Sequence, residues 1–272
     1  MDNITQDTLS LRMFCGDLRL VTRDFFDLFI EQFNSIIKSQ KFSVEFKIEK
    51  TGFFSRGSSK HCAPNKKIWD NIFESIQLGT LSFCCLNFPA FPSEKNPINA
   101  CAQLQFDSKR NALVIIEHIL DSVFKSNIKG EMEDFFALAA ALVKSSDGVI
   151  KYGYCGLGQY VLTNSLTLKV GFNSIPIYST MIPKSGSNQF LMLNIAQDLK
   201  ILSDVVDGRG IKGVYSLTFF CLRFVKCLRE DSIQLPWVTI NEVEGFLDCS
   251  NFTDSRMESI REFVASKIDI IS

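Results

Sequence analysis

The sequence predicts an α+β protein of mixed, largely antiparallel sheets with packed helices, either one domain over residues 1–272 or two fused halves of about 1–158 and 159–272. Three observations lead there. A chain of 272 residues is near the upper size of a single hydrophobic core. Its composition, 46% apolar and 22% charged with a mean hydropathy of +0.11, is globular and excludes a disordered or collagenous chain. Segments of period 2 and period 3.6 alternate without the regular βαβ rhythm of a parallel sheet.

Leu9 to Phe14 alternates as a strand, and Thr22 is placed to cap a helix carrying Phe26, Phe29, Ile30, Phe33 and Ile37 on one face. Phe42, Val44, Phe46 and Ile48 alternate with Ser43, Glu45, Lys47 and Glu49, which makes a strand with one buried face. Ser55 to Asn65 reads as a polar loop. A short helix follows with Ile68, Trp69, Ile72, Phe73 and Ile76 inward, stopped by Gly79 where a helix end takes a residue of positive φ. Leu81 to Phe88 is a strand ended by Pro89 and Pro92, and Cys101 to Phe106 pairs with Ala112 to Ile116 as a hairpin.

Glu131 to Ser145 is a helix because Met132, Phe135, Phe136, Ala139, Leu142 and Val143 form one stripe behind an acidic first turn. Asp147-Gly148 ends it, and Val149 to Tyr154 is a strand. Loop-rich stretches at 153–158 and 171–187 set the seam between the halves. Phe190 to Val206 fits strand or helix. Val214 to Phe219 reads as a strand running into a helix with Phe220, Phe224 and Leu228 on one face. Trp237 to Phe246 supplies another strand region, and Asp254 to Lys267 a final helix with Met257, Ile260, Phe263 and Val264 inward.

The 29 basic and 30 acidic residues leave a net charge of −1, so no bulk field draws the chain to nucleic acid. No stretch reaches the roughly 18 continuous apolar residues of a membrane span. Nine cysteines, an odd number without framework spacing, together with a polar, acidic N-terminal segment, lead to the expectation of reduced thiols in the cytoplasm. No oligomeric state is legible.

Motifs that carry chemistry are sparse. Gly208 to Gly213 matches G-x-G-x-x-G, but a dinucleotide fingerprint needs a strand before it and a helix after it, and here the order is reversed, so a turn is expected and no cofactor. His61-Cys62 is the one adjacent His and Cys; with no C-x-x-C and His118 far along the chain, no metal site is expected. A small cytoplasmic cysteine-dependent hydrolase or transferase using Cys62 or another exposed thiol is the alternative reading; no catalytic residue is assigned, and the expectation is a protein that is not an enzyme. Charge is uneven: Lys41 to Lys67 carries +5, and Arg229 to Glu262 carries −5. The acidic segment suggests a docking face, with Glu230, Asp231, Trp237, Glu242, Glu244 and Asp248 as candidate partner-binding residues.

Phe135 to Ala139 followed by Gly153-Tyr154-Cys155-Gly156, then Ile211 to Phe219 and Val243-Glu244-Gly245-Phe246, is similar to the bacterial immunity proteins that neutralise polymorphic toxins and type VI secretion effectors. Ser216 stands where a second aromatic residue is expected. The resemblance implies an α+β cytoplasmic protein that binds one cognate toxin and occludes its active site or blocks its movement. Gly153, Tyr154, Gly213, Tyr215 and Gly245 carry it as determinants of fold.

Overall fold

The N-terminal alternation extends past Leu9 and Phe14 in both directions, and the strand it makes, β1 (Ile4–Asp17), lies in the middle of a large sheet. The computed structural model describes residues 4–49, 59–90, 99–119, 128–162, 167–170, 173–176, 190–192, 195–229, 235–239, 245–249 and 254–271. After β1 come α1 (Arg23–Ile36), β2 (Ser43–Ile48), β3 (Ser59–Cys62), α2 (Lys66–Gln77), β4 (Leu81–Phe88), β5 (Ala100–Phe106), β6 (Asn111–Ile119) and α3 (Ile128–Ser145). The chain continues through β7 (Ile150–Leu162), β8 (Thr167–Val170), β9 (Asn173–Pro176), β10 (Phe190–Met192) and α4 (Ile195–Val206). It then forms β11 (Leu217–Phe220), α5 (Leu222–Arg229), β12 (Trp237–Thr239), β13 (Gly245–Asp248) and α6 (Asp254–Lys267).

The main sheet runs β12-β13-β11-β7-β1-β6-β5-β4-β2-β3, every neighbouring pair antiparallel, with β10 added parallel to β7. β8 and β9 form a separate hairpin. This is the expected α+β architecture. The 158/159 boundary falls inside β7, whose neighbours come from both sides of it.

Period 2 divides each strand between two cores. Leu9, Leu11, Met13 and Cys15 of β1 pack with Phe25, Phe29 and Phe33 of α1, Ile72 and Ile76 of α2, and Leu138 and Leu142 of α3. On the other face, Phe14, Leu113, Ile115 and Tyr152 pack with Ile201 and Val205 of α4, Phe224 of α5, and Met257, Ile260 and Val264 of α6. The result is a helix–sheet–helix sandwich, with the first three helices on one face and the last three on the other.

Several expectations shift in detail. Thr22 takes the cap position of α1, without a side-chain hydrogen bond. Gly79 follows α2 with φ at +65°. The loop expected at Ser55 to Asn65 contains β3, an edge strand too polar to show an apolar alternation and held by backbone pairing to β2. Gly153 to Gly158 is strand, because β1 on one side and β11 and β10 on the other satisfy its backbone. Phe190 to Val206 is both strand and helix, Phe220 ends β11 instead of opening a helix, and the Trp237 to Phe246 region contains two antiparallel strands. Among the described residues, no helix is long and apolar enough to cross a membrane.

Candidate functional site

Since the odd-numbered residues of β1 enter the first core, Ser10, Arg12 and Phe14 must face the second. Arg12 is fully buried there. A guanidinium offers five donors and keeps its charge, so burial demands acceptors around it. Its Nη2 donates to Oε1 of Glu117 on β6 at 2.7 Å, and its Nη1 pairs with Asp198 in the first turn of α4. Asp198 also accepts from Lys212 Nζ at 2.5 Å and from the Tyr154 hydroxyl of β7 at 3.0 Å. Two cations thus meet two carboxylates, and three strands, α4 and the segment after it are tied together at one point.

Burial works against the Arg12 charge, but Asp198, with Tyr154 and Glu117, outweighs it and holds the guanidinium above its ordinary range. Lys212 is the weaker partner: burial pushes its ammonium down against the pull of Asp198. Burial, then Asp198, raises the Tyr154 phenol, which stays neutral and donates. The cluster continues across the sheet as a polar row of cross-strand partners, Ser10, Glu117, Cys101, Asn87 and Ser43. Cys101 Sγ donates to Glu117 Oε2 at 3.6 Å and accepts from Gln103 Nε2 at 3.5 Å. Burial, and then Glu117, holds that thiol well above its usual range. The hydroxyls of Ser43 and Thr8, both buried, have no hydrogen-bond partner.

The G-x-G-x-x-G segment does what its context predicts, leaving a helix and turning toward a strand. Gly208 has φ at +71°, and Gly210 lies so close to the C-terminal segment that a Cβ there would fall 2.3 Å from the Asp269 carbonyl oxygen. That approach lets Ile211 N–H donate to Asp269 O at 2.9 Å and Ile271 N–H to Ile211 O at 2.8 Å. The Gly213 carbonyl accepts from the Tyr152 hydroxyl at 2.6 Å. Tyr215 stacks on Tyr154 with centroids 4.3 Å apart. Three of the five residues that carry the family resemblance, Tyr154, Gly213 and Tyr215, therefore converge beside the charge cluster, while Gly153 and Gly245 stand in β7 and β13.

Above the cluster opens a cleft of about 350 Å³ between the 212–215 segment and α6, lined by Lys212, Tyr215, Glu258, Arg261, Glu262 and Ile270 among others. Arg261 Nε donates to Val214 O at 3.2 Å, and its Nη1 lies 3.8 Å from Glu258. Glu258 and Glu262, four residues apart on one helix face, are exposed.

Of the candidate partner-binding residues, Trp237 and Asp248 lie on the neighbouring strands β12 and β13, Trp237 opposite Leu247 and Asp248 opposite Leu217. Glu230, Asp231, Glu242 and Glu244 lie outside the described residues. Cys62 and His61 point to opposite faces of β3; His61 stands across from Glu45, and burial pushes the Cys62 thiol up, away from a thiolate. None of the nine cysteines is joined in a disulfide. Among the described residues, no three His, Cys, Asp or Glu side chains group as metal ligands. Sequence reading passed over Arg12, Glu117 and Asp198, because partners 105 and 186 residues apart leave no local spacing. The available signal was a lone Arg at a strand position whose neighbours on both sides alternate as core.

No family model and no curated protein matches the chain. Among solved structures, it is similar to the Pseudomonas aeruginosa T6SS protein PA0821, with a TM-score of 0.51 and 8% identity, over 98% of this chain and 77% of that one. At that identity the likeness shows the fold.

Proposed function

We propose that this chain is an immunity protein of a type VI secretion or related polymorphic-toxin system, which binds a cognate effector in the cytoplasm and neutralises it by occluding its active site or blocking its movement. The observation that carries this reading is the fold shared across 98% of the chain with a protein of the type VI secretion system. The resemblance borne by Tyr154, Gly213 and Tyr215 supports it, since these residues surround one structural centre. So does the chemistry of that centre: its charges are committed to one another, which suits a rigid platform for binding. The function is proposed to be inhibition by contact, with no catalytic step. For the cysteine-dependent alternative, the raised Cys62 thiol and the divergent His61 offer no activated nucleophile.

The test is purification of the chain together with the protein encoded beside it. A stable complex of the two, in which the neighbour's toxic activity is suppressed, is expected. Separate elution with that activity undiminished overturns the proposal.

A further inference from the structure

We infer that the cleft between the 212–215 segment and α6 is the surface that engages the effector, and that the group it receives is a basic segment of that protein. The inference rests on the immunity reading and says where and by what chemistry it operates. The cleft has an apolar and aromatic lining: Tyr215, and Ile270, which is 47% exposed and one of the three large exposed hydrophobic side chains among the described residues. A partner that covers Ile270 removes apolar surface from water, which favours association.

Charge decides what kind of partner fits. Lys212 turns inward, its ammonium bound to Asp198 and its side chain only 7% exposed. Arg261 is engaged with the Val214 carbonyl and with Glu258. The carboxylates instead stand outward: Glu258 is 63% exposed, Glu262 is also exposed, and both belong to the stretch from Arg229 to Glu262 that carries −5. A cleft lined by an aromatic ring and two exposed carboxylates suits a lysine or arginine side chain, which gains ion pairing and apolar contact together. Of the charges that line the cleft, Glu258 and Glu262 are exposed, Arg261 is partly covered and Lys212 turns inward, so the carboxylates are the ones a guest meets first.

The experiment measures association of the full chain with the protein encoded beside it, across a range of salt concentrations. It compares wild type, E258K/E262K, and E133K/D134K, the last reversing a second exposed acidic pair on α3. Thermal melting checks that all three fold. The inference predicts that E258K/E262K lowers the association rate about tenfold or more and flattens its salt dependence, whereas E133K/D134K changes it little. Equal binding by wild type and E258K/E262K overturns the cleft assignment and leaves the immunity reading intact, as does an equal loss in the α3 control. Absence of binding by wild type overturns both.

Discussion

Asp198 is the residue on which the second face of the sheet turns. It answers two cations at once, and removing its charge leaves Glu117 as the one carboxylate beside the fully buried Arg12 and the nearly buried Lys212. Breaking a buried pair in this way costs about 3–5 kcal/mol. Urea unfolding of D198N should show a loss of that order, and a loss below about 1 kcal/mol contradicts the role assigned to the cluster. His118 gives a second prediction at this scale. Its ring lines a cleft of about 440 Å³ between α1 and α3, together with Gln32, Ser35, Lys38 and Asp134. Burial, and then Lys38, holds its pKa below the ordinary histidine range. The unfolded chain therefore binds its proton at higher pH than the folded one, so stability is lost as pH falls through the unfolded value. Between pH 7.5 and 5.5, wild type should lose more stability than H118Q; equal losses in the two proteins contradict the shift.

At the scale of elements, the turn after α4 governs how the C-terminal segment is held. The Gly210 approach leaves no room for a methyl group against the Asp269 carbonyl, so G210A must push the 269–271 segment away from Ile211. The cost expected is about 1–3 kcal/mol, with faster amide hydrogen exchange at Ile271 and unchanged protection in α1. An unperturbed Ile271 amide contradicts it. The same elements show why some structure was legible and some was not. Phe26, Phe29 and Phe33 of α1 and the alternation of β2 declare themselves because a packed face imposes its period on the sequence. β3 and the glycine-containing part of β7 are hidden because backbone pairing makes them, β3 against the preceding β2 and β7 against the distant β1, whatever their side chains. The buried charges were hidden for a related reason. An arginine inside a strand reads as solvated until the fold shows that α4 has brought a carboxylate over it.

For the molecule as a whole, a sheet shared across the 158/159 boundary predicts that residues 1–158 and 159–272, expressed separately, do not fold, since the cut divides β7, bares its edge in the first fragment, and takes from β11 and β10 in the second the β7 residues that pair with them. A fragment with cooperative melting and dispersed amide resonances contradicts this. The architecture also separates charges that the near-neutral total conceals. Arg12 and Lys212 are drawn into the sandwich as partners for buried carboxylates, while Glu258 and Glu262 on α6 remain outside. The central claim is neutralisation by binding, and survival measures it most directly. Cells expressing the protein encoded beside this chain should die without it and grow normally with it, and co-expressed E258K/E262K should protect them less well. Equal killing with and without the wild-type chain contradicts the account.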